Sequence, residues 1–272
     1  MRRLTNLFAL VAAALLFAGE AGAAPGTKRE YQAELPEQAS LVQRALADLQ
    51  PSPPGARKLY FVGFAGYGFE AVFKREVLAV RKLFDERFAT AGRSVILINH
   101  PSTLGDIPLA TRENLEQVLQ GVDRIMDGKD DTLFLFLTSH GERALLAVEM
   151  PHVGLEHLTP QMLKAMLART KIRNRVIVVS ACHSGSFIPA LADARTLVIA
   201  AARSDRTSFG CNDKREWTYF GEAYFNQALR QEKSFKRAFE QAVKLINSWE
   251  VKEKLLPSLP QMKGGEALRL ND

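Results

Sequence analysis

Apolar runs and amphipathic stretches alternate along most of this chain. Continuous apolar runs occupy residues 59–64 (LYFVGF), 94–98 (SVILI), 132–137 (TLFLFL), 176–179 (VIVV) and 197–201 (LVIAA). They are short and rich in β-branched or aromatic residues, as strands buried on both faces require. Between them, apolar residues recur at steps of three and four. Phe73, Val77, Val80, Phe84 and Phe88 form one stripe, and Leu115, Val118, Leu119, Val122 and Ile125 form another. Met162, Leu163, Met166 and Leu167 follow Thr159 and Pro160, a helix cap and a first helical residue. Phe235, Phe239, Ala242, Val243 and Ile246 make a last stripe. Strand–helix alternation of this kind predicts an α/β sandwich around a mainly parallel sheet. Residues 144–149 add a short strand or hairpin.

The ends of the chain read differently. Arg2 and Arg3 precede a short apolar run, residues 7–18, and the small residues Ala21, Gly22 and Ala23. This layout predicts a secretory signal peptide over 1–23, cut after Ala23. The apolar run falls short of the ~20 residues a membrane span needs, and no second run is long enough. The expected locale is therefore secreted or periplasmic, with no stable membrane insertion after cleavage. Residues 24–57 read as an N-terminal extension or linker with one helix near 37–49. Residues 58–254 read as a single domain, and 255–272, with two prolines and Gly264-Gly265, as a loop-like tail.

Composition changes this picture little. Of 272 residues, 47% are hydrophobic and 24% charged, which fits an ordinary globular chain. The formal charge of +6 comes from Lys and Arg residues spread among acids, as in Lys129-Asp130-Asp131. No basic stripe marks a nucleic-acid partner. The chain has two cysteines, Cys182 and Cys211. In an exporting compartment a bridge between them is one reading.

In a parallel sheet, sites gather at the carboxyl ends of the strands. The third run leads into Thr138-Ser139-His140-Gly141-Glu142, and the fourth into Ser180-Ala181-Cys182-His183-Ser184-Gly185-Ser186. The intervening residues suffice for one strand–helix–strand crossover, which points both strand ends to the same edge. His140 and Cys182 then face each other if their strands are neighbours. A thiolate is the reactive form of cysteine, and a nearby imidazole favours it. Gly141 lets the backbone turn, and the N–H groups of Gly141 and Cys182 are candidate oxyanion donors. Ser184, Gly185 and Ser186 are expected to keep the rim open.

These segments resemble the legumain (asparaginyl endopeptidase) family of cysteine peptidases. His140-Gly141 after an apolar strand resembles its histidine motif. Ala181-Cys182-His183-Ser184-Gly185-Ser186-Phe187 resembles its nucleophile motif, and Thr218-Tyr219-Phe220-Gly221-Glu222-Ala223-Tyr224 a third segment, with Cys211 also in place. The resemblance covers roughly residues 58–230. It implies a caspase-like three-layer α/β/α sandwich with a mostly parallel sheet. It also implies cleavage of protein or peptide substrates after Asn or Asp through a thioester, with His140 as base, Cys182 as nucleophile and Gly141 as oxyanion donor. No cofactor or metal is implied. Glu222 falls at an acidic position of the S1 pocket, and Ser208 on the pocket wall. Two departures stand out. The segment Tyr67-Gly68-Phe69-Glu70-Ala71 lacks the Arg-His pair that shapes S1 in legumains, and His183 replaces an acidic residue beside the nucleophile.

Three other readings stay open at this level. A zinc hydrolase could use His140, His152, His157, Cys182 and His183, although their spacing matches no metal motif. A binding protein locked by a Cys182–Cys211 disulfide would keep the same fold. A transamidase or peptide ligase would differ only in the acceptor. The sequence leaves oligomeric state open.

Overall fold

The computed structural model describes residues 37–268. The signal-peptide reading over 1–23 lies outside the described residues. The described chain folds in the order α1 (Gln38–Ala47), β1 (Leu59–Ala65), α2 (Ala71–Arg87), β2 (Ser94–Ile98), α3 (Arg112–Ile125) and β3 (Thr132–Thr138). A hairpin of β4 (Gly141–Glu142) and β5 (Leu145–Leu146) follows, then α4 (Pro160–Ala168), β6 (Asn174–Ser180), the short α5 (Ile188–Leu191) and β7 (Thr196–Ala200). An interrupted helix, α6, comes next. It comprises Tyr219–Gly221, a π-helical Glu222–Ala228 and Leu229–Gln231. Helix α7 (Phe235–Glu253) and β8 (Gln261–Lys263) complete it.

Six strands form one sheet in the order β2-β1-β3-β6-β7-β8. The first five are parallel, and β8 runs antiparallel at the edge against β7. Every residue of the central β3 is buried, and its side chains sort by parity. Leu133, Leu135 and Leu137 enter an aliphatic layer with Leu115, Val118, Leu119 and Val122 of α3 and Leu163 of α4. Phe134 and Phe136 enter an aromatic layer with Phe73, Val77 and Phe84 of α2, Phe225 of α6 and Phe235 of α7. Ring centroids there approach to 4.4 Å for Phe84–Phe134 and 4.5 Å for Phe136–Phe225. Each strand thus carries two helix layers, which gives the α/β/α sandwich the sequence predicts.

The helix starts follow their caps. Thr159 accepts the Met162 N–H with Pro160 in the first turn, and Thr111 does the same for Asn114. The expected hairpin near 144–149 exists as β4–β5, although it begins earlier, at Gly141.

Two differences appear at the ends. Helix α1, expected in a linker, buries Leu41 and sends Val42 into the aliphatic layer. Its Leu46 packs so closely on Gly121 of α3 that a Cβ there would overlap it. The segment 255–272, expected as loop, contains β8. Three residues between Pro260 and Gly264 are too few to show a strand period. The turn after β8 uses Gly264 and Gly265, both at positive φ (86° and 72°). A side chain at Gly264 would run into the Thr196 carbonyl. Among the described residues, no helix is long and apolar enough to cross a membrane.

Candidate active site

β3 and β6 are direct neighbours, and Thr138 pairs with Ser180 at their carboxyl ends. His140 and Cys182 each lie two residues beyond that pair, at one edge of the sheet. The Ser139 N–H donates to the Ser180 carbonyl at 3.2 Å, which carries the pairing one step further. Beyond it the backbones nearly touch. A Cβ on Gly141 would lie 2.6 Å from the Cys182 carbonyl oxygen and 3.0 Å from the Ala181 Cβ. The crossover therefore brings together the two residues that the spacing singles out, and glycine at 141 is what permits the approach.

The loop after His140 is held on two sides. The Ala147 N–H donates to the His140 carbonyl at 3.0 Å, and Ser139 Oγ donates to the Ala147 carbonyl at 2.7 Å. Ser186 Oγ accepts from the Ala144 N–H at 2.9 Å and donates to the His183 carbonyl at 2.7 Å. One serine thus ties the histidine hairpin to the cysteine loop.

The His140 ring is gripped by the segment after β1. Its Nε2 lies 2.9 Å from Glu70 Oε2. Tyr67 and Phe73 meet the ring at 86° and 78°, with centroids at 4.5 and 5.2 Å. The side chain stays 35% exposed, so one side is open to solvent.

Cys182 is half-buried. Its Sγ accepts from the Ser208 N–H at 3.3 Å and lies 3.6 Å from the Ser208 carbonyl. Ser208, expected on a pocket wall, thus meets the thiol through its main chain. Cys182 and Cys211 are both free thiols. Burial pushes the Cys211 thiol pKa up, and the charges of Cys182, Glu76 and Glu70 add to the rise.

The small residues after Cys182 do not form an open rim. Ser184 and Gly185 are buried. Ser184 Oγ accepts from the Ala202 N–H at 3.1 Å, and the Gly185 N–H donates to the Ala202 carbonyl at 2.8 Å. A Cβ on Gly185 would meet Gln261 Oε1 of β8 at 2.5 Å and the Ser204 nitrogen at 2.8 Å. They are small because the loop after β7 packs on them. His183 sits in the left-handed region (φ 57°, ψ 14°), and its Nδ1 lies 3.1 Å from the Ser204 carbonyl. Its ring is tied to that loop.

Glu222 is half-buried at the start of the π-helical stretch. Its oxygens accept from Asn226 Nδ2 and Gln227 Nε2, both at 2.9 Å. A carboxylate retains lone pairs beyond two such bonds.

Sequence reasoning missed Glu76. It belongs to the α2 stripe three residues after Phe73 and is fully buried. Thr138 Oγ1 donates to its Oε2 at 2.7 Å, and Oε1 accepts from the Thr218 N–H at 3.1 Å and Thr218 Oγ1 at 2.7 Å. Its position on the apolar face was the available signal. A further histidine near this edge is His100. Burial lowers its pKa to about 4, and nearby Lys74 and Arg75 act in the same direction. Among the described residues, no group of three or more His, Cys, Asp or Glu side chains is arranged to hold a metal ion.

With this geometry in hand, comparison with known proteins is decisive at residues 109–268, which match the Peptidase C13 family. That is more than half of the chain. The chain belongs to the Peptidase C13, or legumain, family of cysteine peptidases. Within the family, the "Hemoglobinase" of Schistosoma japonicum is 34% identical over 110 residues, 36% of this chain and 25% of that protein. The chain thus spans about a quarter of the length of that relative. Among solved structures, caspase-1 from Spodoptera frugiperda superposes with a TM-score of 0.51 at 14% identity, covering 79% of this chain and 92% of that one. That likeness shows a caspase-like fold. For this C13 chain, the family match includes His140, Cys182, Ser208 and Glu222. It leaves out Tyr67, Glu70, Phe73 and Glu76.

Proposed function

We propose that the protein is a secreted cysteine endopeptidase that hydrolyses peptide bonds through a thioester on Cys182, with His140 as general base, after Asn or Asp. The observation that carries this reading is the register of β3 and β6, which sets both residues at one sheet edge in a chain of a cysteine peptidase family. The domain would begin with α1, and the mature chain after Ala23.

In this mechanism His140 takes the Cys182 proton, and Sγ attacks the scissile carbonyl carbon. The carbonyl oxygen becomes an oxyanion, and backbone N–H groups stabilise it. Gly141 is suited to this. Its pair with Leu146 lies next to the hydrogen-bonded pair His140/Ala147. In an antiparallel ladder such alternate positions turn their N–H away from the partner strand. The C–N bond then breaks, and His140 returns the proton to the leaving amine. Water attacks the thioester, its proton passes to His140, and the acid leaves as the thiol reforms. Glu222 supports a polar P1 side chain, because its free lone pairs suit the N–H2 of Asn.

The test is turnover of fluorogenic peptides carrying Asn, Asp, Arg or Ala at P1 by the mature chain under reducing conditions. Labelling of Cys182 by a thiol-directed electrophile is measured in parallel. Selective cleavage after Asn or Asp is expected. Cleavage after Arg or Ala alone would retain the thioester chemistry and remove the assigned specificity. No turnover, together with an unlabelled Cys182 in the folded protein, would overturn the reading.

A further inference from the structure

We propose that Glu70 is a positioning residue for His140, fixing which ring nitrogen is left to take the thiol proton. The proposal rests on His140 being the base.

A carboxylate accepts hydrogen bonds and donates none, so the 2.9 Å contact places the ring proton on Nε2. Nδ1 is then the bare nitrogen of the neutral ring. The same carboxylate favours the imidazolium that forms when His140 takes a proton. Tyr67 and Phe73 flank the ring edge-on, so a seven-residue segment holds it on three sides. Rotation about the Cβ–Cγ bond, which would swap Nδ1 with Cδ2 and Nε2 with Cε1, breaks the Glu70 bond.

The fold also frees Glu70 for this use. It occupies the N-cap position of α2, in extended conformation (φ −131°, ψ 123°), and its side chain makes no capping bond. Acidic side chains at that position ordinarily bond their own helix. Here Asp213 does so from far along the chain. Its Oδ1 accepts the Ala71 N–H at 2.6 Å. Arg75 anchors the Asp213 loop through the carbonyls of Asp213 and Arg215, at 3.0 and 2.6 Å. The positive end of the α2 dipole favours a carboxylate at Glu70. The segment that departs from the legumain pattern at S1 thus acquires a role on the other side of the chemistry.

The experiment compares wild type, Glu70→Gln and Glu70→Ala. Readouts are kcat and KM against pH, the rate of Cys182 alkylation by iodoacetamide against pH, and the unfolding midpoint. Glutamine can still accept from Nε2–H but carries no charge. It is expected to move the acid limb of both profiles to lower pH, because the imidazolium loses its partner and the neutral base persists further into acid. Alanine loses the bond as well, and kcat is expected to fall roughly tenfold to a hundredfold, with KM nearly unchanged. A purely structural role would lower the midpoint and leave the profiles of the folded fraction in place, which would overturn the proposal. So would wild-type kcat and profiles in both variants of an active enzyme. If wild type cleaves no peptide but its Cys182 alkylation profile shifts in Glu70→Gln, the peptidase reading fails and the positioning role stands.

Discussion

Cys182→Ala is expected to lower peptide turnover by roughly 10⁴-fold or more, with little change in folding. The size follows from the proposed chemistry. Removing the nucleophile of a covalent mechanism leaves only binding and oxyanion stabilisation, and nucleophile and base act as a unit. His140→Ala should therefore cost about as much, and the double variant little more. The fold has small reason to respond. The Cys182 thiol is half-buried and makes only long contacts with the Ser208 main chain, at 3.3 and 3.6 Å. Losing them costs on the order of 1 kcal/mol, or about 4 °C at most in unfolding midpoint for a chain of this size. Turnover by both variants, measured against thermal unfolding, checks this. Residual activity of Cys182→Ala above about one per cent of wild type would rule out the thioester route.

The second large effect lies beneath the site. Gly221→Ala is expected to destabilise the protein by about 3 kcal/mol, by overpacking and by leaving buried donors without an acceptor. A Cβ at position 221 would overlap Glu76 Oε1 and lie 2.6 Å from its carboxyl carbon. Either the carboxyl or the start of α6 must move, and the bonds from Thr138 and Thr218 go with it. Thr138 precedes His140 by two residues. Thr218 caps α6, and its Oγ1 lies 3.3 Å from Ser180 Oγ, two residues before Cys182. Activity should therefore fall together with stability. Urea unfolding checks the first effect, and a destabilisation under about 1 kcal/mol would show that the cradle yields cheaply.

Glu76 carries a pH signature as well. Burial raises its pKa above the ordinary value of 4.5, although the threonine bonds oppose the shift. Above 4.5 the unfolded chain has released this proton while the native chain still holds it. Stability attributable to Glu76 is then lost as pH rises through the raised value. Glu76→Gln should flatten that slope, as read from urea midpoints across the acid-to-neutral range.

The sheet was legible because each of its main strands is a buried apolar run, and a parallel strand shows little else. His140 and Cys182 were legible because each follows such a run directly. Their adjacency needed one inference, that the two strands are neighbours. What escaped depends on contacts distant in sequence. Glu70 lies 70 positions from His140 and Glu76 142 from Thr218. Nothing local distinguishes either from a solvated glutamate, except that Glu76 falls on an apolar stripe. Asp213 as the cap of α2 is equally invisible, since caps are sought next to their helix. The serine and glycine after Cys182 read as rim residues because smallness alone does not tell an open edge from a crowded one.

The short strand β8 has a consequence for handling this protein. By lying antiparallel along β7 it occupies a row of main-chain groups that would otherwise invite another chain to pair there. A chain stopped at residue 255 would retain His140 and Cys182 but uncover that row, and it would remove Gln261 from beside Gly185. It is expected to self-associate, seen as larger species in size-exclusion chromatography, whereas a monodisperse profile like that of the full chain would show the edge to be harmless. A trimmed version made for crystallisation or display should therefore keep residues 261–265, whose job is to make one border of the molecule unattractive to its own copies.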